Sequence, residues 1–501
     1  MTEVKEKLPE VEIEAASILS IPDNKLKKHL KPRHVNFLAL GGSLGVGLLI
    51  GSGGSLAIAG PVGMLLSYMI MGLITMCTLF SLAEMCSLLG SEGNFVEMVS
   101  RFVDKSAGFA YTWCYALGYN LTLPSEISSI CLLIGYWDTE KKLPDYAIVL
   151  IFTFFVLMVN IVDVGAYGEV EFWITMVKLL LIVGSMIFYK PVGKFLGVWR
   201  VFINAGFGFQ GTEVVALTNS EVPNFRKMAP SLMKSVIVRI ITFNVVSLFM
   251  VTLMVASNDD KLLSAVNAGA GNGAESPFVI AVENAGVKVL PSVVNGGILI
   301  AAMSAANTQI YIPSRTYFFG QKYGYCPKFL TITNRNGVPY YSVICNAAFG
   351  LLALLTLNNT AEQVFNWLMN LTTVFGFIGW TLINYAFIRY YYGLKKQGID
   401  RDELPIYKSP LQPYSAIFAA LMLVLITFTQ GFTAFIPWDT QNFFAAYISL
   451  VIFVVFWVGY KGCTKNFRQI PLENIDLSYS QDEDELEYHS RAARYMDKVF
   501  S

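Results

Sequence analysis

Among the ionisable side chains inside long apolar stretches of this 501-residue sequence, three are singled out as site candidates: Glu126, Lys178 and Glu213. Each costs about 2.5–3.5 kcal/mol near the centre of a lipid-embedded helix on insertion scales, so each is expected to face the protein interior or water. Burial disfavours the charged form of either group, which makes these residues candidates for coupling proton uptake and release to a conformational step. The alternatives are structural hydrogen bonds for the two glutamates and extension to the membrane surface for Lys178.

Two of the apolar stretches are crowded with glycine, FLALGGSLGVGLLIGSGGSLAIAGP at 37–61 and INAGFGFQGTEVVAL at 203–217. Such glycine density predicts a broken helix, and unwound backbone in a bilayer is tolerated only where it lines a cavity. A half-helix starting near Gly45 to Gly47 would direct free N–H groups at an anion such as a carboxylate. Close packing of small residues between helices is the alternative.

Phe207 and Phe209 flank the second break and are predicted to form a pocket wall or gate. The sequence contains neither a nucleophile-base set nor a cluster with metal-ligand spacing, so neither an enzyme nor a cofactor is expected. Lysine plus arginine equals aspartate plus glutamate, at 36 each, which gives no net charge to favour a nucleic-acid partner.

The elements that position these residues are predicted to be membrane-spanning helices. The chain is 54% hydrophobic and 14% charged, which is too apolar for a water-soluble fold of this size. Twelve apolar stretches are long enough to cross about 30 Å of hydrocarbon as helices. They lie near 35–58, 62–89, 108–136, 146–165, 170–189, 200–220, 236–256, 289–319, 340–357, 364–391, 414–436 and 441–460.

Lysine and arginine concentrate in alternate connections, beginning with the N-terminal tail, which predicts that both termini lie in the cytoplasm. We therefore predict a cytoplasmic tail at 1–34, a twelve-helix membrane domain at 35–460 and a second cytoplasmic tail at 461–501. The two broken spans are the first members of consecutive five-span halves, at about 35–189 and 200–391, followed by two further spans at about 414–460. That position is typical of an inverted-repeat architecture.

Ordered motifs along the chain resemble the fungal amino-acid permeases of the amino acid–polyamine–organocation superfamily. The resemblance covers roughly residues 25 to 465 and is carried by the following runs: LKPRHVNFLALGGSLGVGLLIGSG at 30–53, AEM at 83–85, LTLPSEISSICLLIGYW at 121–137, YGEVEFWITMVK at 167–178, FGFQGTEVVALTNSEVPNFRKMAP at 207–230, SPFVIAVENAGVKVLPSVVNGGILIAAMSAANTQIYIPSR at 276–315 and NRNGVPYYSV at 334–343.

The resemblance implies an all-α integral membrane protein of about 12 helices, with a LeuT-like five-plus-five inverted repeat and a substrate site between spans 1, 3, 6, 8 and 10. It implies that Lys178 favours protons over sodium as the coupling ion. The predicted proton-coupling residues are thus Lys178 and the two intramembrane glutamates, Glu126 and Glu213. The predicted substrate-binding residues combine those that the resemblance implies with the two phenylalanines named above. They are Ser43, Gly45, Val46, Gly47, Glu126, Phe207, Phe209, Gly211 and Ser304.

The function implied is import of amino acids across the plasma membrane by proton symport and alternating access. The expected partners are an amino-acid substrate, protons and the lipid bilayer, with the tails as candidate sites for trafficking or ubiquitin machinery. Two alternatives stay open. One is an amino-acid sensor that does not transport, and the other is a carrier of a different amine, such as a polyamine, choline or 4-aminobutyrate, because Val46 replaces the threonine usual in the family.

Overall fold

The computed structural model describes residues 45–478 apart from short gaps, together with residues 30, 34, 35, 38 and 39. The gaps fall at 91–92, 139, 141, 163–170, 172–194, 223–224, 269–275, 285–288, 358–359, 436–437 and 466. Most of predicted span 5, with Lys178, and residues 40–44 of span 1, with Ser43, therefore lie outside the described residues.

Every regular element in the described part of the chain is a helix. The α-helices are α1 (Val46–Leu49), α2 (Gly51–Leu89), α3 (Phe95–Phe102), α4 (Lys105–Gly135), α5 (Asp145–Val162), α6 (Phe195–Phe209), α7 (Phe225–Met254), α8 (Asp260–Ala268), α9 (Pro277–Asn284), α10 (Leu290–Gln321), α11 (Tyr340–Phe349), α12 (Ala361–Lys396), α13 (Tyr414–Thr429) and α14 (Thr440–Thr464). Short 3-10 helices follow several of them, at Thr212–Thr218, Lys328–Thr331, Gly350–Leu357, Phe432–Ala434 and Leu472–Asn474.

Eight helices among the described residues are long and apolar enough to cross a bilayer. The number is below the twelve predicted spans partly because α2 joins the second half of span 1 to span 2. Gly60 interrupts α2 with φ 67° and ψ 176°, a backbone conformation that favours glycine, and Pro61 follows it. Span 6 is likewise divided, since α6 ends at Phe209. The fold class is the predicted all-α membrane architecture.

Helix α4 lies at the centre of the bundle, packed along α10 and α12, while α2 packs along α6 and α7. Helices α13 and α14 lie at the perimeter and present large apolar side chains outward: Leu421, Phe428 and Val455 are each 60% exposed or more. In a water-soluble protein an apolar surface of this kind would drive aggregation. Here it faces the hydrocarbon of the bilayer.

One end of the bundle, which we call the basic face, brings together the connections at 89–105, 321–340 and 396–414 and the segment 465–478. Arg101 pairs with Asp476, with an N–O distance of 2.9 Å, and Lys322 pairs with Glu97 at 3.2 Å. Arg389 donates to the backbone carbonyls of Phe102 and Ile470. The segment after α14 is thereby tied to α3 and α12.

A buried glutamate holds the connection between α12 and α13 against α2 on the basic face. Both oxygens of Glu84, which is fully buried, accept from the Arg401 guanidinium at 2.7 and 2.8 Å. Ser409 adds its backbone N–H and its hydroxyl, at 2.8 and 2.6 Å. The hydrogen bonds to Glu84 raise the pKa of Arg401 above its usual value. This bidentate geometry is the strong form of the arginine–carboxylate pair.

Replacing Glu84 by alanine is expected to destabilise the fold by about 3–5 kcal/mol, because the variant leaves Arg401 and Ser409 with unmatched donors in a mostly buried site. The measurement is the melting temperature of the purified protein in detergent. The matched control is Glu140→Ala, since Glu140 pairs with Lys142 at 2.9 Å with both side chains more than 70% exposed. Such exposed pairs contribute about 0–1 kcal/mol. Equal melting temperatures for the two variants would contradict the stabilising role of Glu84.

Candidate functional site

The first helix break lies at residues 45–50, where α1 is a single turn and Ile50 separates it from α2. Its backbone is bonded by side chains from other helices. The Ser276 hydroxyl, just before α9, donates to the Leu49 carbonyl at 2.6 Å, and the Asn204 amide of α6 donates to the Gly51 carbonyl at 3.1 Å. These bonds replace the helical ones that the break removes.

The second break follows α6. Gly211 has φ 90°, in the left-handed region that favours glycine, and a 3-10 helix begins at Thr212. Gln210 reaches across to α12, where its Nε2 donates to the carbonyls of Thr372 and Thr373 at 3.2 and 3.1 Å. A side chain at Gly376 would overlap that amide, so the glycine leaves the space that Gln210 occupies.

The two breaks meet at one small cavity between α1, α4, α6 and α10. The space that a water-sized sphere can occupy there is about 10 Å³, the room of roughly one water molecule. Glu126, 2% exposed, is the one charged residue among those that line it. The lining residues are Gly45, Gly47, Tyr119, Thr122, Glu126, Phe207, Gln210 and Gln309.

Phe207 separates this cavity from a larger one. Its ring packs edge to face against Phe365 of α12, with ring centroids 6.2 Å apart and planes at 89°. Phe365 in turn lines an outer cavity of about 340 Å³, which lies at the end of the bundle opposite the basic face and which we call the vestibule. A Cβ atom added at Gly47 would overlap Phe207 Cδ1 and stand 3.3 Å from the Gly208 nitrogen, so the two breaks are in close contact.

Glu213 lies beside the cavity, on the 3-10 helix after the second break, and is fully buried. Its Oε1 accepts from the hydroxyls of Tyr115 and Tyr119 at 2.6 and 2.8 Å, and its Oε2 lies 3.4 Å from the Thr212 hydroxyl. Because Tyr119 also lines the cavity, one hydroxyl joins the cavity to the carboxylate. Tyr111, Tyr115 and Tyr119 form a ladder along α4, with successive ring centroids 5.3 and 4.8 Å apart.

A buried ion pair connects α10 with the end of the broken helix near the basic face. Arg315 Nε lies 2.9 Å from Glu221 Oε1, and the two side chains are 2% and 0% exposed. Tyr311 donates to the other oxygen of Glu221 at 2.6 Å, and the guanidinium lies over the Tyr311 ring at 4.2 Å. This pair joins α10 to the second broken helix on the side of the cavity nearer the basic face.

The structure brings Gly45, Gly47, Glu126 and Phe207 together at the cavity, while other predicted site residues lie elsewhere. Gly211 forms the second break, and Phe209 packs against Tyr68, with ring centroids 6.3 Å apart. Ser304 donates to the carboxylate of Glu171. Ser43 and Lys178 lie outside the described residues, as does the side chain of Val46.

Sequence reasoning missed several residues that the fold brings to the site. Tyr115 and Tyr119 repeat at the four-residue spacing of one helix face, a signal that the sequence carried. Arg315 falls inside predicted span 8, and its charge there was a second signal. Gln210 and Gln309 gave no such signal in the sequence, because a lone amide side chain in a helix does not indicate which groups it will face.

The described residues contain no group of three or more His, Cys, Asp or Glu side chains that could hold a metal ion. The described lining therefore offers an organic ligand one carboxylate, two amides, two hydroxyls and the backbone of a helix break. That set can accept from a cationic group and donate to an anionic one.

Comparison with known proteins agrees with this architecture. The chain is 37% identical to the lysine-specific permease of Saccharomyces cerevisiae over 490 residues, which cover 91% of this chain and 79% of the relative. It is 32% identical to the dicarboxylic amino acid permease of the same yeast over 498 residues, covering 91% and 81%. A solved manganese transporter from Eremococcus coleocola shares the fold, with a TM-score of 0.55 at 12% identity, over 87% of this chain and 94% of that one.

The model of the amino acid permease family matches residues 34–471. Its match spans both helix breaks, the cavity and the vestibule. With identities above 30% to curated permeases over most of both chains, the protein belongs to the amino acid permease family.

Proposed function

We propose that this permease imports amino acids across the plasma membrane by proton symport and alternating access. Membership of the family indicates a multi-pass membrane transporter rather than an enzyme. The observation that carries the finer proposal is the single cavity at which both helix breaks meet the Glu126 carboxylate, next to the buried Glu213. An amino acid presents an anionic and a cationic group together, and a site for it needs donors and acceptors in one place.

The carboxylate of the substrate would accept hydrogen bonds from the backbone N–H groups near Gly45 and Gly47. Its ammonium group would donate to the freed carbonyls around Phe207 to Gly211. Glu126 adds an acceptor from α4, and Gln309 adds an amide from α10. A cavity with room for one water must widen before an amino acid enters. The ring of Phe207 stands where that widening would occur, which supports the role of a gate with Phe365.

Alternating access requires one side of the site to open while the other is closed. The vestibule extends to the Phe207–Phe365 pair from the end of the bundle opposite the basic face. On the side of the basic face, the Arg315–Glu221 pair joins α10 to the second broken helix. The positive-inside rule makes the basic face cytoplasmic. The described conformation then corresponds to a carrier whose vestibule faces the outside, while the ring pair closes the site from the vestibule and the ion pair closes it from the cytoplasm.

Proton coupling is supported by the environment of Glu213. In the described part of the chain, its carboxylate accepts hydrogen bonds from hydroxyl groups and forms no ion pair with lysine or arginine. A buried intramembrane carboxylate in such a setting is a candidate for carrying a proton through the conformational step. Tyr119 connects this carboxylate to the cavity, and binding of substrate there can alter the bond. Lys178 stays a second predicted coupling residue.

The test is uptake of radiolabelled amino acids and amines into cells that lack their own permeases, at about pH 5 and about pH 7.5. Acid-stimulated accumulation of an amino acid supports the proposal. Binding by the purified protein without uptake would favour a sensor, and uptake of an amine without a carboxylate would favour the other alternative. Uptake that ignores the pH gradient would exclude proton symport.

Glu213→Gln is expected to abolish accumulation driven by a pH gradient while keeping exchange of labelled for unlabelled substrate, because an amide cannot release a proton. Tyr115→Phe and Tyr119→Phe each remove one hydroxyl bond to a charged group, worth about 1.5–3 kcal/mol, and should reduce accumulation about tenfold or more. Only Tyr119→Phe should also raise the KM, since Tyr119 lines the cavity. Proteoliposomes with an imposed pH gradient provide both measurements.

Tyr392→Phe is the matched control for these variants, since Tyr392 is 40% exposed on α12 and far from the cavity lining. It should behave as the unmodified protein does. Accumulation by Glu213→Gln at the unmodified level would remove Glu213 from the coupling mechanism.

Gly47→Ala is expected to reduce uptake about tenfold or more, because the added methyl group would overlap the Phe207 ring and hold the two breaks apart. Gly459→Ala is the control, on the perimeter helix α14, where an added Cβ also meets nothing within 4 Å. It should keep uptake near the unmodified level at equal surface abundance. Equal uptake by both variants would show that close contact of the breaks is not required.

A further inference from the structure

The vestibule is large enough to hold a solute before the inner cavity opens. Its volume of about 340 Å³ falls within the range of about 300–1,000 Å³ that small-molecule sites occupy. It lies between the first broken helix, α6, α12 and the outer ends of α13 and α14. Its polar lining side chains are Arg200, Asn204, Asn366, Asn370, Gln430, Thr433 and Asn442.

Arg200 is the one charged residue among the described lining of this cavity. Its side chain is exposed. Asp439, three residues before the lining residue Asn442, caps α14 instead, where it accepts from the backbone N–H groups of Gln441 and Asn442 and from the Asn442 side chain at 2.7 Å. The described lining of the vestibule therefore carries one charge, and it is positive.

Several of the amides around Arg200 are already oriented by the protein. Asn204 donates to the Gly51 carbonyl at 3.1 Å and to the Ser55 hydroxyl at 3.0 Å, and Gln430 donates to the Ala446 carbonyl at 2.8 Å. These bonds fix the polar wall beside the guanidinium. A planar guanidinium in such a cleft binds a carboxylate through two parallel hydrogen bonds.

We propose that the vestibule is an entry site in which Arg200 holds the α-carboxylate of an incoming amino acid, and that its charge selects neutral and anionic amino acids over cationic ones. The inference rests on the proposed function and adds the substrate class. A fixed charge in a cleft raises the local concentration of the opposite charge and lowers that of its own sign. A lysine or arginine substrate carries a second cationic group into the same cleft, where the charge of Arg200 repels it, so its local concentration is not raised.

The names of similar permeases do not agree on the charge of the substrate. Several are named for lysine, arginine or basic amino acids, at 35% to 37% identity, and one is named for dicarboxylic amino acids, at 32%. The proposed preference thus departs from the names that most of these relatives carry. The inner cavity does not distinguish cationic from neutral or anionic substrates either. Its one lining charge, Glu126, can pair with the ammonium group that every amino acid carries. The vestibule is where the described lining presents a charge that distinguishes these classes.

The experiment measures initial uptake of radiolabelled glutamate, glutamine and lysine, in competent cells that lack their own permeases, by the unmodified protein, Arg200→Gln and Arg200→Lys. The unmodified protein should take up glutamine and glutamate with a higher kcat/KM than lysine. Arg200→Gln should lower kcat/KM for glutamate and glutamine about tenfold, mainly through KM, and should lower that for lysine less or raise it. Arg200→Lys should keep the preference. The effect should weaken at high ionic strength.

Lys142→Gln is the matched control, because it removes one positive charge from the same face at a residue that is not part of the vestibule lining and is 78% exposed. Surface abundance and melting temperature are measured for each variant, so that rates refer to folded protein. Equal losses for all three substrates in Arg200→Gln, or an effect no larger than that of Lys142→Gln, would overturn the entry site. A preference of the unmodified protein for lysine would overturn the substrate class. Absence of any amino-acid uptake by the unmodified protein would instead overturn the proposed function, and this inference with it.

Discussion

The organisation of this permease depends on the need of unwound backbone for hydrogen-bond partners within the membrane. The first break is bonded by polar side chains from elsewhere, Ser276 and Asn204, and the second is joined to α12 by Gln210, whose amide donates to two carbonyls of that helix. These bonds require α6 to lie beside the first break and α12 beside the second. The cavity lies where the two breaks meet α4 and α10, so the bonds that hold the breaks also position the site.

Three of the buried acids, Glu84, Glu221 and Glu213, differ in their partners. Glu84 and Glu221 are each paired with an arginine from a distant part of the chain, and a compensated charge of this kind holds two elements together. Glu213 is met by the hydroxyls of Tyr115 and Tyr119. The paired acids lie near the basic face, whereas Glu213 lies beside the cavity. Position and partner therefore separate the residues that hold one face together from the residue proposed to exchange a proton.

The sequence predicted the features that depend on local composition. Glycine density located both breaks, and charge within apolar stretches located Glu126 and Glu213. It did not predict the pairing of Glu221 with Arg315, which are 94 residues apart, because such a contact depends on how helices pack. The predicted spans 35–58 and 62–89 leave a connection at 59–61, and Gly60 there has non-helical backbone that kinks the chain between two helical segments without a loop. Gln210 and Gln309 belong to the site only through the fold.

The arrangement of two cavities in series separates two physical contributions to selectivity. The vestibule has room for a hydrated solute and a guanidinium in its wall, so it discriminates by net charge while the solute is still partly in water. The inner cavity has room for about one water and must expand around its ligand, so it discriminates by shape after water is excluded. The Phe207–Phe365 ring pair lies between them. Because the two contributions lie on opposite sides of this pair, a change of charge in the vestibule can alter the substrate class without altering the groups that bind the α-carboxylate and the ammonium inside. A permease of this construction can thus preserve one inner site while its outer lining determines which amino acids reach it.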